Sequence, residues 1–513
     1  MSALRSSHPA QQQIADALTW LRARVQPGAH LHADTRKIAA GDVFLAYAVD
    51  GADNRPFIAN AVERGAAAVL VQSDGFAGDI DAATMFAVPS LNELAGTIAS
   101  AWYGDPSDAM RVIGVTGTNG KTSCTNWISA ALTALGQPCA IIGTLGSGMP
   151  GHLVYTGFTT PDAPQLQRNL AHLRAASAKA VAMEVSSHAL HQGRVNGTAF
   201  SVAVFTNLTQ DHLDYHGTFE AYEAAKARLF AWPELKAAVI NADDEAGRRL
   251  IASTKGHAKT IAYALQSHAD VQADASIVAS NVRATATGTA FHIASDWGNT
   301  DIEVNTLGTF NVSNLLGVLG ALLASDVPFD AAVAQLAKLE SVNGRMERLG
   351  GRLQNDEPLV VIDFAHTPDA LEKTLTALRP IADARGGKLI CMFGCGGDRD
   401  ATKRPLMGEI AERCADGVVV TSDNPRSEDP QKIIDQIAAG MKDASKARRI
   451  EDRASAILQA VRCAAREDVI VLAGKGHEST QEIMGKKRAF SDQDHARLAL
   501  AARATHTRGG SES

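Results

Sequence analysis

The feature that most constrains this chain is a glycine-rich turn between a strand-like run and an amphipathic segment. Residues 114–123 read Gly-Val-Thr-Gly-Thr-Asn-Gly-Lys-Thr-Ser. Residues 111–113 indicate the end of a strand, and residues 125–135 have the apolar spacing of a helix. Such a turn exposes backbone N–H groups at a helix N-terminus, where phosphate oxygens bind most favourably. The sequence therefore predicts a phosphate-binding loop in an α/β fold.

The loop resembles the Walker A pattern but differs from it in spacing. Walker A places four residues between its first glycine and the Gly-Lys pair. Here five residues separate Gly114 from Gly120, and Val115 stands where that glycine is expected. Lys121 can reach the β- and γ-phosphates, and the Thr122 hydroxyl can hold Mg²⁺. Because Gly-Lys-Thr lies between a strand and a helix, a chance glycine turn is the less favoured alternative.

Length and composition bound the remaining possibilities. At 513 residues the chain is too long for one core, so two to four domains are expected. The net charge of −7 argues against a dominant nucleic-acid surface. The six cysteines are scattered without zinc spacing, and no apolar run has the length of a membrane span. The chain is therefore predicted to act in the reducing cytoplasm without a nucleic-acid or membrane partner.

Strand and helix patterns alternate along the chain and predict three α/β domains. Residues 1–105 end at a Tyr-Gly-Asp-Pro cluster that is typical of a linker. In residues 106–341 the alternation predicts a mostly parallel sheet covered by helices. Residues 260–305 are Thr-rich and alternating, which predicts an antiparallel flap on this domain. A third α/β series occupies residues 342–513.

Polar residues follow the predicted central strands at the points where ligands bind in open α/β sheets. Glu184 comes directly after a strand, and His212 lies in a polar run after the next one. Mg²⁺ favours one or two carboxylates together with phosphate oxygens. For His212 alone a structural hydrogen bond is the better interpretation, but beside a phosphate loop and Glu184 a metal or substrate role is favoured. Lys226, on a helical segment, would ordinarily be a solvated lysine.

Three strand ends in the last third of the chain carry charged residues. Arg399 follows a glycine turn, Arg426 closes an Asp-Asn-Pro-Arg run, and Glu478 ends a Gly-Lys-Gly-His-Glu run. Two cations and one anion at one edge suit a zwitterionic ligand, because arginine clamps carboxylates and glutamate accepts an ammonium. Each could alone be a helix cap or a surface ion pair. Together they predict a binding site.

These motifs together resemble the Mur ligases over nearly the whole chain and in the expected order. The loop looks like the family's ATP loop, and residues 307–314 and 344–347 look like its adenine segment and the start of its third domain. The resemblance implies three domains: a small N-terminal α/β UDP-binding domain, a central ATPase domain and a C-terminal Rossmann-like α/β domain that binds an amino acid. The implied ATP-binding residues are Gly117, Thr118, Asn119, Gly120, Lys121, Thr122, Ser123, Asn311, Asn314, Arg345 and Asp363.

The resemblance also implies a catalytic set and a muramoyl-peptide site. In the family the lysine that matches Lys226 is carbamylated, which turns a cation into an anion able to bind Mg²⁺. The implied metal set is Thr122, Glu184, His212 and carbamylated Lys226, and the implied catalytic set is Lys121, Lys226, Glu184 and His212. The implied residues for UDP-muramoyl-dipeptide are Thr35, where many members have serine, Thr159, Thr160, Ser186, Gln192 and Arg194.

The Asp-Asn-Pro-Arg run distinguishes branches of the family. In the diaminopimelate-adding branch, the arginine that matches Arg426 engages the second carboxylate of meso-diaminopimelate, and lysine-adding relatives usually lack it. A site with an arginine there would reject a substrate that leaves the cation unpaired. The implied diaminopimelate-binding residues are Arg399, Asp423, Asn424, Pro425, Arg426, Gly474 and Glu478.

The implied activity is ATP-dependent addition of meso-diaminopimelate to UDP-N-acetylmuramoyl-L-alanyl-D-glutamate through an acyl phosphate, with Mg²⁺ as cofactor. The chain is expected to work as a monomer. Three alternatives remain open. A lysine-adding Mur ligase would use another amino acid, and a folylpolyglutamate synthase-like ligase would lack the N-terminal unit and the Asp-Asn-Pro-Arg run. A non-ligase P-loop NTPase would hydrolyse ATP without an amino acid.

Overall fold

The computed structural model describes residues 8–268, 270–285 and 288–509. They form two compact units. The first comprises the residues up to Val278 together with Ala294–Gly298 and Asn314–Leu336, and the second comprises Ala279–Ile293, Asn299–Ser313 and the residues from Ala337 onward. The domain boundaries expected after residues 105 and 341 stay predictions.

The N-terminal part of the first unit is a small α/β layer structure. Its helices and strands are α1 His8–Arg22, β1 Leu31–His32, β2 Val43–Ala46, β3 Ala48–Val49, β4 Ala52–Asp53, α2 Ile58–Glu63, β5 Ala68–Gln72, β6 Met85–Val88 and α3 Leu91–Trp102, with 3-10 turns at Thr35–Lys37, Arg55–Phe57 and Pro106–Ala109.

The sheet of this part has the strand order β1-β2-β5-β6, and all its neighbours are parallel. Successive side chains of a strand point to opposite faces. Leu45 and Leu70 therefore join one buried cluster with the helices α1 and α3, whereas Phe44 and Val69 join a second cluster on the other face. Burial on both faces explains why these strands are continuous apolar runs.

The central part of the chain contains the longest sheet. Its elements are β7 Arg111–Thr116, α4 Lys121–Ala134, β8 Cys139–Gly143, β9 Gly146–Met149, β10 His152–Val154, α5 Ala163–Ala175, β11 Ala180–Glu184, α6 Ser187–His191, β12 Phe200–Phe205, α7 Leu213–His216, α8 Phe219–Ala227, the 3-10 turn Arg228–Ala231, β13 Ala237–Asn241, α9 Glu245–Thr254, β14 Lys259–Ala264, β15 Ala275–Ala284, β16 Thr289–Ser295, β17 Gly298–Val304, α10 Thr309–Leu323 and α11 Phe329–Leu336.

Strands β8, β11, β7, β12, β13 and β14 are neighbours in that order, and all these pairs are parallel. The predicted parallel sheet is confirmed. The antiparallel flap predicted for residues 260–305 is wrong at its start, because β14 is parallel to β13 and the first residues of β15 are parallel to β14. The hairpin of β9 and β10, antiparallel beside β8, was not predicted.

The last part of the second unit is an α/β structure with a six-stranded sheet and a separate two-stranded sheet of Thr480–Ile483 and Lys486–Ala489. Its elements are β18 Glu347–Gly350, the 3-10 turn Leu353–Asn355, β19 Leu359–Asp363, α12 Pro368–Arg385, β20 Leu389–Phe393, α13 Lys403–Cys414, β21 Gly417–Val420, α14 Pro430–Ala438, the 3-10 turn Ala444–Lys446, β22 Ala447–Arg449, α15 Arg453–Cys463, β23 Val469–Ala473, β24 Thr480–Ile483, β25 Lys486–Ala489 and α16 Asp492–Gly509.

The six-stranded sheet is parallel except at one edge. The strand order is β18-β19-β23-β20-β21-β22, and β18 is antiparallel to β19. One apolar cluster packs under α12, α13 and α14, and a second packs under α15 and α16, so helices cover both faces. The arrangement agrees with the predicted Rossmann-like α/β domain. It also places the carboxyl ends of β23, β20 and β21 side by side.

Within the described residues no helix is both long and apolar enough to cross a membrane.

Candidate active site

The loop between β7 and α4 requires glycine at two positions. Gly117 has φ +144° and Gly120 has φ +86°, a region that favours glycine. A Cβ atom on Gly117 would lie 1.9 Å from the Thr206 hydroxyl oxygen, and one on Gly120 would lie 2.4 Å from the Asn314 amide oxygen. Neighbouring side chains therefore press against the loop backbone, and no larger residue fits at either position.

The residues after β12 hold this loop in place. The Thr118 N–H donates to the Asn207 carbonyl at 2.8 Å, and the Asn119 N–H donates to the Asn207 side-chain oxygen at 3.0 Å. The Thr206 hydroxyl donates to the Asn119 carbonyl at 2.6 Å. Helix α4 then begins at Lys121, and Gly120 directly before it provides no side-chain cap. Hydrogen bonds with residues 206 and 207 thus hold the loop at the N-terminus of α4, which is a position that suits a phosphate.

Two lysine side chains converge on the carbonyl oxygen of Gly117. Lys121 Nζ donates to it at 2.8 Å and to the Thr118 carbonyl at 2.9 Å, and Lys226 Nζ donates to the Gly117 carbonyl at 2.9 Å. Lys226 is only 2% exposed, and Tyr222 lies against it, its ring centroid 4.4 Å from Nζ. Burial, with the nearby Lys121 charge, holds the pKa of Lys226 well below its ordinary value. Lys226 is therefore a buried side chain and not the solvated lysine that its helical segment alone would suggest.

Glu184 is a buried carboxylate at the end of β11, 1% exposed. The Thr122 hydroxyl donates to it at 3.0 Å, and the Thr144 N–H and hydroxyl donate at 2.8 and 3.2 Å. All of these donors are neutral groups. A hydroxyl oxygen and a carboxylate oxygen thus lie together beside the phosphate loop. Both are oxygen ligands of the kind that Mg²⁺ prefers, and they fit the predicted magnesium site.

His212 lies in the polar run after β12, where φ is +54° and almost half of the side chain is exposed. Its Nε2 is 3.3 Å from an Asp211 carboxylate oxygen, and its ring centroid is 4.9 Å from that of His188. Among the residues that the structure describes, no group of three or more His, Cys, Asp or Glu side chains is assembled for a metal ion. The metal role of His212 stays a prediction.

Three of the residues predicted for the muramoyl peptide lie around the Glu184 backbone. The Thr160 hydroxyl donates to the Glu184 carbonyl at 2.9 Å and accepts from the Ser186 N–H at 3.1 Å. The hydroxyl oxygens of Thr159 and Thr144 are 3.0 Å apart. The structure thus brings Thr159, Thr160 and Ser186 to the same edge of the sheet as the buried carboxylate.

Gln192 and Arg194 belong to the same region. Arg194 donates from Nε to the Gln192 amide oxygen at 2.8 Å and from Nη1 to the Thr160 carbonyl at 3.2 Å. Gln192 also lines a cleft of about 530 Å³ together with Asp50 and His191. Thr35 lies at the start of the 3-10 turn Thr35–Lys37. Its contact with the uridine stays a prediction.

A side-chain network that the sequence did not reveal connects Gln192 to the N-terminal part. The Tyr215 hydroxyl donates to the Asp50 carboxylate and accepts from the Gln192 amide nitrogen at 3.0 Å. His191 Nδ1 lies 3.1 Å from the same carboxylate. Asp50 has φ +48°, a conformation that few residues other than glycine, asparagine and aspartate adopt. The network fixes Gln192 at the wall of the cleft.

The residues predicted near the nucleotide in the second unit surround the end of β19. Asp363 is half-buried, and its carboxylate accepts from the Met346 and Ala365 N–H groups at 2.8 and 3.0 Å. Burial raises the pKa of this carboxyl. The Arg345 guanidinium lies 4.5 Å from the Phe364 ring centroid. Asn311 donates to the Leu307 carbonyl at 2.9 Å, and Asn314, in the first unit, lies beneath Gly120.

The loop after β23 carries a buried ion pair. Lys475 is fully buried, and its Nζ donates to a Glu478 carboxylate oxygen at 2.8 Å. The Asn424 amide donates to the same oxygen at 2.7 Å. Gly474 has φ +112°, and a Cβ there would lie 2.7 Å from an Asp423 carboxylate oxygen. Burial raises the pKa of Asp423, while the Arg453 and Lys475 cations oppose this shift. Glu478 is thus already paired with an internal ammonium.

The two predicted arginines lie on the neighbouring loops. Arg426 has φ +52°, and its guanidinium donates to the Gly397 carbonyl at 2.7 Å. The backbone N–H of Arg426 donates to the Glu482 carbonyl at 3.0 Å. Arg399 is exposed and donates to the Asp398 carbonyl at 3.2 Å, and the Pro425 carbonyl accepts from the Glu428 N–H at 2.9 Å. The loops after β23, β20 and β21 therefore meet, and we name their charged edge the amino-acid rim.

Known proteins that resemble this chain identify its family. The model of the Mur ligase middle domain matches residues 115–322, and the model of the Mur ligase glutamate ligase domain matches residues 344–476. A curated protein of Ralstonia nicotianae is 58% identical over 96% of this chain and 97% of its own length. The chain belongs to the Mur ligase family. That relative is named UDP-N-acetylmuramoyl-L-alanyl-D-glutamate–2,6-diaminopimelate ligase.

Solved structures of related ligases are also similar to this Mur ligase. One of a UDP-N-acetylmuramoyl-L-alanyl-D-glutamate–2,6-diaminopimelate ligase is 37% identical, covers 93% of this chain and 96% of its own, and has a TM-score of 0.65. A folylpolyglutamate synthase of Mycobacterium tuberculosis, complexed with ADP and AMPPCP, is 19% identical, covers 83% and 96%, and has a TM-score of 0.60. The second likeness shows a shared fold alone.

Sequence reasoning missed several residues of this Mur ligase site. Thr144 holds Glu184 with two hydrogen bonds, and Lys475 is the internal partner of Glu478. Asp50 and Tyr215 fix Gln192. The position of Lys475, between two glycines directly after a strand, was the signal that could have revealed it, because glycines beside a charged residue permit a close approach of the backbone.

Proposed function

We propose that this Mur ligase adds meso-2,6-diaminopimelate to UDP-N-acetylmuramoyl-L-alanyl-D-glutamate at the expense of ATP, in the synthesis of peptidoglycan precursors. The observation that carries the proposal is the 58% identity to a ligase of that name over 96% of the chain. An alignment over 96% of the chain covers the residues of both the phosphate loop and the amino-acid rim. The cytoplasmic location and the monomeric state belong to the proposal as predictions.

The phosphate loop and its lysines support the first step of the reaction. The γ-phosphoryl group of ATP passes to the D-glutamate γ-carboxylate, which gives an acyl phosphate and ADP. Lys121 is placed to neutralise the charge on the transferring group, since it already lies against the loop carbonyls. The reaction needs no protein nucleophile, so catalysis comes from positioning and charge neutralisation.

The Thr122 hydroxyl and the Glu184 carboxylate would hold Mg²⁺, which supplies charge neutralisation at the phosphates. Their oxygen atoms are 3.0 Å apart beside the loop. Burial lowers the pKa of Lys226, which favours the neutral amine, the form that reacts with carbon dioxide. The N–C bond formed with carbon dioxide, and loss of one proton, would give a carbamate. That anion would serve beside Glu184, with His212 as the further predicted member of the set.

The amino-acid rim supports the second step. The amino group of meso-diaminopimelate attacks the acyl carbon, phosphate leaves and an amide forms. Arg426 and Arg399 would bind carboxylates of the incoming amino acid. Asn424 and Lys475 both donate to one oxygen of the Glu478 carboxylate, and the Glu478 side chain is one-third exposed. The ammonium of the amino acid would bind there.

One assay tests the proposal against its alternatives. Phosphate release is measured with ATP and UDP-N-acetylmuramoyl-L-alanyl-D-glutamate, alone and with meso-diaminopimelate, L-lysine or L-glutamate. We expect release with meso-diaminopimelate, and a product whose mass is the sum of the two substrates less water. Release with lysine alone would indicate the lysine-adding branch. Release that needs no amino acid would indicate an NTPase and would overturn the proposal.

A folate substrate tests the remaining alternative. The folylpolyglutamate synthase shares the fold with 19% identity, which does not extend to its substrate. We expect no phosphate release with a folate and L-glutamate. Turnover of that pair, without turnover of the muramoyl dipeptide, would replace the proposed function.

A further inference from the structure

A fully buried arginine lies beneath the amino-acid rim. Arg404, on α13, is 1% exposed and is among the largest buried side chains of the protein. Its guanidinium makes a two-pronged pair with Glu428, with both N···O distances 2.8 Å. It also donates to the Gly396 carbonyl at 3.1 Å and to the Gln436 amide oxygen. A guanidinium that spans four acceptors fixes their positions more sharply than a single ion pair does.

The acceptors of Arg404 belong to the two loops that carry the rim arginines. Gly396 lies in the loop after β20, three residues before Arg399, and Glu428 lies in the loop after β21, two residues after Arg426. The Glu428 carboxylate also accepts from the Asp398 N–H at 2.6 Å. Arg404 and Glu428 therefore join one loop to the other beneath the rim.

A second set of bonds shows how closely the loops are matched. The Ser427 hydroxyl donates to Asp398 at 2.6 Å. The Arg426 guanidinium donates to the Gly397 carbonyl at 2.7 Å, and a Cβ on Gly396 would lie 2.9 Å from the same guanidinium. The position of the Arg426 head group thus depends on the backbone at residues 396 and 397, which the Arg404 pair holds.

Resting on the proposed function, we propose that Arg404 and Glu428 are positioning residues for amino-acid selection. They touch no substrate and act through Arg426, by keeping the loop after β20 in register with the loop after β21. The hydrogen bonds from Arg404 lower the pKa of Glu428 to about 2. The pair therefore stays ionised over the whole pH range in which a ligase of this kind works.

The test uses conservative changes in the full-length enzyme. Glu428→Gln keeps the size of the side chain and removes its charge, and Arg404→Lys keeps the charge and removes the fork. We expect KM for meso-diaminopimelate to rise at least about tenfold in each, since displacement of a positioning group by about 1 Å costs that much or more. KM for ATP and kcat at saturating amino acid are expected to stay within about twofold.

The control is Arg413→Ala. Arg413 lies on the same helix and pairs with Glu372 at 2.9 Å, but both side chains are about half exposed. Exposed pairs contribute little, so its kinetic constants are expected to match those of the unchanged enzyme. If Arg404→Lys does not fold, Glu428→Gln decides the result, because the Glu428 side chain is one-third exposed.

A double variant separates positioning from general support. In an Arg426→Ala background, Glu428→Gln is expected to cause no further loss in kcat/KM for meso-diaminopimelate, because its effect passes through Arg426. A further loss of the full tenfold, or an unchanged KM in the single variant, would overturn the inference. A fall in kcat with unchanged KM would do the same. If the unchanged enzyme does not use meso-diaminopimelate, the proposed function fails first, and this inference fails with it.

Discussion

The phosphate-loop site and the amino-acid rim hold their charged groups in different ways. At the loop, Lys121 and Lys226 donate to the neutral carbonyl of Gly117, and Glu184 accepts from neutral donors. At the rim, Lys475 is paired with the carboxylate of Glu478. Arg404 below the rim is likewise paired with a carboxylate. These hydrogen bonds at the loop thus join the side chains to neutral groups, whereas those at the rim join a cation to a carboxylate.

The difference agrees with what each site is proposed to bind. A polyphosphate with a divalent cation brings large charges of both signs, so charged and polar groups on the protein are useful there. A zwitterionic amino acid brings small and balanced charges. Its recognition depends on the exact placement of a few partners, and internal ion pairs provide that rigidity. We therefore expect changes at the loop to abolish chemistry and changes at the rim to alter selection.

The largest expected effect tests the loop side of this comparison. Lys226→Ala should lower kcat about 1000-fold, the scale seen when a charge-stabilising group is removed. A small carboxylate such as formate should restore part of the activity by replacing the carbamate. The measurement is phosphate release at saturating substrates.

Lys226→Arg is the matched control for this prediction. Arginine keeps a cation at this position but is not carbamylated, so we expect it to be as inactive as the alanine variant. Full activity in Lys226→Arg would mean that the site needs only a positive charge and would remove the carbamate from the proposal.

The second effect tests the rim side. Arg426→Ala should lower kcat/KM for meso-diaminopimelate about 100-fold, equivalent to ~2–3 kcal/mol, as expected when one member of a buried charge pair with substrate is lost. KM for ATP should change little. The control is Arg449→Ala, because Arg449 pairs with Asp435 at 3.2 Å where both side chains are well exposed. Equal losses for ATP and amino acid would contradict a role in selection.

The third effect concerns a histidine of the second unit that lies near a cation. His477 is buried close to Arg345, and burial with that cation lowers the pKa of His477 from 6.5 to about 4. Above pH 6.5 it is neutral in both folded and unfolded chains. As the pH falls from 6.5 towards 4 the unfolded chain binds a proton that the folded chain refuses, so stability is lost over that window.

His477→Asn should remove this loss. Relative to the variant, the unchanged protein should lose about 2 kcal/mol of unfolding free energy between pH 7 and pH 4.5. Urea unfolding at the two pH values measures the difference. His495→Asn, a half-buried histidine on α16, is the control for the substitution itself. Equal pH dependence in all three proteins would show that His477 is not held neutral.

The buried strands were the most predictable part of the fold. Strands such as Cys139–Gly143 and Leu359–Asp363 can be read from the sequence, because strands buried on both faces are continuous apolar runs. The hairpin at residues 146–154 was missed because its glycine-rich residues carry no apolar signal. The parallel start of β15 was mistaken for an antiparallel flap because alternation reveals burial on one face but not strand direction.

The site was predictable where chemistry follows a strand end. Glu184, Arg426 and Glu478 could be named because polar residues at such points lie on one edge of a sheet. Arg404 and the buried state of Lys226 could not be derived from local pattern. A charged side chain is buried only when distant residues supply its partners, and the Arg404 partner lies 24 residues away. The role of Lys226 came from family resemblance.

The smallest expected effect compares one helix cap in each region. Thr218 caps the helix that carries Lys226, since its hydroxyl accepts from the Ala221 N–H at 3.1 Å, and Thr367 caps α12 by accepting from the Ala370 N–H at 3.3 Å. Each threonine-to-alanine change should cost about 1 kcal/mol of unfolding free energy. Only Thr218→Ala should also reduce the fraction of Lys226 that is carbamylated, because fraying at the start of α8 loosens the packing around Lys226. The measurement is mass spectrometry of the intact protein in bicarbonate. Equal carbamylation in both variants would show that Lys226 is held by its burial and by Gly117 alone, and not by the helix that presents it.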